Sequence, residues 1–84
     1  MKEYNGHRSW NAWNVSLWIN NDEALYRQAE GLCNMYARSA PDEETARHAA
    51  ADMFLHNVVG KGAKTPDGAV YNKLSIFHAM EGMV

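Results

Sequence analysis

Residues 9–22, SWNAWNVSLWINND, decide the fold: they hold all three tryptophans of the chain and end in the polar group that starts the next element. At helical spacing Trp10, Trp13 and Leu17 fall on one stripe with Trp18 beside them, while Ala12, Val15 and Ile19 fall on a second. Two apolar stripes call for two neighbours. The stretch from about Ser9, the N-cap, to Ile19 therefore reads as a helix wrapped by the rest of a small domain. Its polar breaks Asn11, Asn14 and Ser16 must find partners or lie on the remaining edge, because an unpaired buried amide costs about 1–3 kcal/mol.

Outward on the C-terminal side, Asn20-Asn21-Asp22-Glu23 ends this helix and caps the next, with Asn20 and Glu23 spaced like a capping box. A second helix from about Asp22 to Arg38 turns Leu25, Ala29, Leu32, Cys33 and Tyr36 inward and Glu23, Arg27, Glu30 and Arg38 outward. Ser39-Ala40-Pro41-Asp42 breaks the pattern, and Pro41 with Asp42, Glu43 and Glu44 suits the start of a third helix running to about Val58. Ala46, Ala49, Ala50, Met53, Phe54 and Asn57 share its inner face, and the tryptophans of the first helix are the expected filling for the groove its alanines leave. Gly60 to Gly68 is a long loop in which Thr65-Pro66-Asp67-Gly68 suits a type I turn, and Val70 and Tyr71 are briefly extended. A last short helix near Asn72 to Gly82 carries Leu74, Ile76, Phe77, Met80 and Met83. On the N-terminal side, Asn5-Gly6 marks a turn in a lead-in expected to fold back onto the first helix. The reading is all-α: a single domain, residues 1–84, as a compact bundle of about four helices with one long loop before the C-terminal helix.

Composition narrows the function classes more than it selects one. A chain of 84 residues buries only about 60% of its unfolded surface, so its stability rests on a few large side chains. No apolar run approaches the roughly 20 residues that span a bilayer, and MKEYNGHRSW lacks the apolar core of a signal peptide, so a cytoplasmic protein is expected. Ten acids against eight bases, scattered along the chain, provide neither a basic nucleic-acid footprint nor the field of a nucleic-acid mimic. The single Cys33 has no partner for an internal disulfide and reads as a small buried apolar residue.

Three patterns invite chemistry, and each has a plainer reading. His48, Asp52 and His56 recur every four residues, but at about 1.5 Å per residue the two histidines stand roughly 12 Å apart along the axis, too far to share one ion. They are expected to form a polar stripe beside the core, with no metal or cofactor; a small metal-binding enzyme on His48, Asp52 and His56, with His78 or His7, is the weakest alternative. Gly60-Lys61-Gly62-Ala63-Lys64-Thr65 superficially matches a phosphate loop, yet Ala63 stands where the motif needs glycine and Pro66 where a helix should begin. The tryptophan stripe lacks the interleaved cations of a single-strand platform. An indole left exposed by so small a domain would instead mark a protein-binding surface.

Tyr4-Asn5-Gly6, Trp10, Trp13-Asn14-Val15, Leu17-Trp18-Ile19, Asn21-Asp22-Glu23, Leu25-Tyr26 and the later Lys64-Thr65-Pro66-Asp67-Gly68-Ala69-Val70-Tyr71 resemble a family of small, functionally uncharacterised bacteriophage and prophage proteins. The resemblance covers both ends of the chain and leaves out the helix from Pro41 to Val58. It implies a mobile-element origin and expression in a bacterial host cytoplasm, and it carries no catalytic residue. Small phage proteins of this size commonly bind and block a host protein, anti-CRISPR proteins among them.

The expectation is thus a stoichiometric inhibitor or modulator of a host protein, in its most concrete form a Cas protein or complex, working by contact and not as an enzyme. The expected contact residues are Tyr4, His7 and Arg8 before the first helix, Lys61 and Lys64 in the loop, and Tyr71 after it. Asp42, Glu43 and Glu44 form an alternative acidic face. A homodimeric structural or assembly role is the second reading.

Overall fold

The computed structural model describes residues 9–83. Tyr4, His7, Arg8 and the Asn5-Gly6 turn lie outside them. Helix α1 (Trp10–Asn21) begins where the Ser9 hydroxyl accepts the Ala12 amide at 3.2 Å, and Asp22 both ends it and caps α2 (Glu23–Ala37) by accepting the Leu25 amide at 3.0 Å. The cap is Asp22 and not Asn20, whose side-chain amide turns back to the Ser16 carbonyl at 2.9 Å. Helix α3 (Glu43–Met53) starts on the Asp42 carboxylate, which accepts the Thr45 amide at 2.7 Å, and α4 (Lys73–Ala79) starts on Asn72, which accepts the Ser75 amide at 2.8 Å. All four starts thus carry a short polar side chain that satisfies an orphan amide.

The third helix does not continue regularly to Val58. From Phe54 to Val59 it widens into a π-helical segment, and Gly60 at φ +91° then ends it. In this segment Phe54 is buried and Leu55, Val58 and Val59 pack against the core. Asn57, expected inside, is exposed.

Helix α1 packs on α4 and α2; α3 packs on α2 and α4; α1 and α3 stand diagonally and do not meet. This reverses the expected filling of the alanine groove. Ala46, Ala50 and Ala51 are buried, but what closes over α3 is α2 and α4, with Cys33, Ile76 and Met80 in the shared core. The core takes the aliphatic α1 stripe, Ala12, Val15 and Ile19, with Ile19 among the largest fully buried side chains. The indole stripe turns outward. Trp10 is 40% and Leu17 37% exposed, and Trp13 and Trp18 are half-buried, so the indoles are not the wrapped hub that the sequence pattern suggested. Among the described residues there is no strand, and one isolated backbone bridge, Lys64 with Val70, closes the loop before α4 into a hairpin. The fold is a small all-α bundle of four helices.

Candidate functional site

The polar breaks in α1 find their partners in the hairpin. Asn11 pairs with the backbone of Val70 on both sides, donating to its carbonyl at 2.9 Å and accepting its amide at 2.8 Å, and also donates to the Ser75 hydroxyl at 3.3 Å. One turn on, buried Asn14 accepts the Thr65 hydroxyl at 2.6 Å and donates to the Asp67 carboxylate at 2.9 Å. A further turn on, the Trp18 indole N–H donates to the same Asp67 oxygen at 2.9 Å. Asn11, Asn14 and Trp18 lie three and four apart, on one helix face, and so read a hairpin laid along it.

The hairpin is shaped to be read. The Thr65-Pro66-Asp67-Gly68 turn closes with the Gly68 amide on the Thr65 carbonyl at 2.8 Å, and Gly68 supplies the φ of +96° that follows. The Thr65 amide returns to the Ala69 carbonyl at 2.8 Å, while the Thr65 hydroxyl also accepts the Ala69 amide at 3.0 Å. Two hydrogen bonds, from Asn14 and then Trp18, hold the Asp67 carboxyl below its ordinary pKa although it lies at the surface. These residues coincide with the pattern that marks both ends of the chain. Together they pin the hairpin to α1.

Lys61 and Lys64 are exposed in this loop. Tyr71 is not. Side chains alternate along the hairpin's second limb, so Val70 faces out while Ala69 and Tyr71 face in, and Tyr71 is only 5% exposed within the core. Burial, with a smaller contribution from the Asp22 charge, pushes its phenol pKa up. Tyr71 is therefore a core residue, and it is removed from the contact set. Asp42, Glu43 and Glu44 cluster at the exposed start of α3, where the Thr45 amide holds the Asp42 carboxyl below its ordinary range.

The histidine stripe disperses into separate contacts. His48 stacks on Phe77 at 4.2 Å between ring centres, the Arg47 guanidinium sits 4.4 Å over the same ring, Asp52 pairs with Lys73 at 3.1 Å, and His56 is exposed. Among the described residues no group of three or more His, Cys, Asp or Glu side chains converges for a metal ion. Cys33 is fully buried, and burial pushes its thiol to about 11 against the lowering effect of Arg47, so it is neutral and unreactive at neutral pH.

Large apolar side chains also reach the surface. Trp10 and Leu17 line the outer face of α1, and Val70 and Leu74, the latter 53% exposed, emerge at its N-terminal end, since Asn11 bonds both Val70 and the neighbouring Ser75. Sequence reasoning foresaw that an indole could be left exposed on so small a domain, but not that the stripe of Trp10 and Leu17 would be the one turned outward.

Fold and surface together define a small all-α protein with a polar-pinned hairpin and an exposed apolar helix face. The whole chain, residues 1–84, matches a family of unknown function (DUF7249), and it belongs to that family. No curated protein and no solved structure matches it. No helix among the described residues is long and apolar enough to cross a membrane.

Proposed function

We propose that this chain works by contact, as a phage-encoded inhibitor or modulator of a host-cell protein, with the outer face of α1 at the centre of the contact. Occlusion of a Cas protein or complex is its most concrete form. The observation that carries the reading is the exposure of Trp10, Leu17 and Leu74 on helices whose opposite faces are locked into the core. Tryptophan is enriched at interface hot spots, and a rigid helix presents it without an ordering cost. Helix α1, WNAWNVSLWINN, has no charged residue, so the complementary surface is an apolar, uncharged groove, with Lys61 and Lys64 at the rim setting orientation.

Capture from bacterial lysate, with and without an active CRISPR system, followed by reconstitution with the purified partner, tests this. Leu17→Glu and Trp10→Ala should abolish capture while helicity is retained, and a Lys61→Glu, Lys64→Glu double variant should weaken it. Absence of any partner, or a partner indifferent to the α1 variants, would overturn the proposal.

A further inference from the structure

A second exposed surface lies on α2, with Met35 as its large apolar side chain. Ala24, Gln28, Gly31, Met35 and Arg38 recur at spacings of four and three, all five exposed, in the pattern of a helix-pairing seam. Met35 is 51% exposed and projects as a knob. It edges a hollow of about 490 Å³, whose other walls are Gln28, Gly31 and Leu32 on α2 and Met53, Asn57 and Val58 opposite. Gly31 sits at the centre. A glycine inside a helix destabilises it relative to alanine, and here a Cβ would meet nothing within 4 Å, so no contact within the described fold calls for glycine. A glycine at the middle of an exposed seam suits close approach by another helix.

We infer that α2 pairs antiparallel with the α2 of a second copy, crossing at Gly31. Knob and hollow lie on one face, so a two-fold axis through Gly31 carries each Met35 to the Gln28 end of the other copy's hollow, as an isologous contact requires. Charge selects this occupant. Glu23 and Arg38 lie eight and seven residues to either side of Gly31, and the antiparallel crossing sets each Glu23 near the Arg38 of the second copy. Glu23 engages Arg27 through one carboxylate oxygen, Oε2, at 2.9 Å, which leaves the other for this pairing. The two helix dipoles also oppose. This interface leaves α1 uncovered, so the dimer presents two α1 faces, and it stands independently of the host-protein reading.

Sedimentation velocity of the full chain up to about 200 μM tests the pairing, with a dimer of twice the 9.5 kDa chain expected. Gly31→Ala should weaken the dimer about tenfold while raising the melting temperature of dilute, monomeric protein, since the added methyl favours the helix and crowds only the second copy. Met35→Glu should abolish the dimer. Glu23→Arg should weaken it and the Glu23→Arg, Arg38→Glu double variant restore it, which a merely sticky surface would not do. A chain that stays monomeric, a dimer unmoved by the Gly31 and Met35 variants, or one lost instead in Leu17→Glu would overturn the inference. A Gly31→Ala melting temperature that falls would place the glycine's role inside the fold and overturn it as well.

Discussion

Two parts of the bundle are held by different physics. In one, α2 and α4 both pack on α3 through Ala29, Cys33, Ala50, Phe54 and Met80, a dry contact with no directional bond, where area and fit decide. In the other, α1 meets the hairpin through Asn11, Asn14 and Trp18, where five side-chain hydrogen bonds fix the register of the segment. Apolar burial is tolerant of sequence, whereas an amide that must match one threonine and one aspartate is not. A conspicuous sequence pattern can therefore record the demands of a fold and not those of a reaction.

The contrast predicts two kinds of damage. Phe54→Ala empties the largest fully buried side chain in the dry half and should cost about 3–5 kcal/mol, lowering stability as a whole in a denaturant titration. Asn14→Ala strands the buried Thr65 hydroxyl and strips Asp67 of one donor, for a cost of about 1–3 kcal/mol, and its effect should centre on the hairpin. The smallest effect is the acid response of Asp67. Folding lowers its pKa, so the unfolded chain binds the proton more readily; the stabilisation is complete above the ordinary value of 3.8 and is lost as pH falls through the depressed one. Trp18 emission should report this loosening below about pH 4, and Asp67→Asn should remove that component while the acid response of Asp42 persists.

Much of the fold was legible because local chemistry announces it. Ser9, Asp42 and Asn72 marked helix starts, and Thr65 to Gly68 marked a turn, all through side chains acting within four residues of themselves. Periodicity also placed Ala29 and Cys33 inside α2. The failures lie where the answer depends on residues far away. Which stripe of α1 turns inward is decided by α4 and α2, and both stripes are equally helical in pattern. The π-helical turn at Phe54–Val59 was not legible, since the apolar period reads as one regular helix to Val58. Within the candidate site, exposed Lys61 and Lys64 were legible from loop composition, whereas the burial of Tyr71 followed from a hairpin register fixed by Asn11. The need of Asn14 for a partner was visible, but its partner stands 51 residues on.

The claim that everything else leans on is that the Asn14–Thr65–Asp67–Trp18 network pins the hairpin and has no other role in the fold. Amide hydrogen exchange on the parent chain and on Asn14→Ala tests it directly, because the amides of Thr65, Gly68, Ala69 and Tyr71 are all bonded within the hairpin, while those of Ala29, Cys33 and Ala50 report the dry half. The account predicts that the four hairpin amides exchange at least about tenfold faster in the variant with the dry half little changed. Uniform acceleration across both halves, or none in the hairpin, would contradict it.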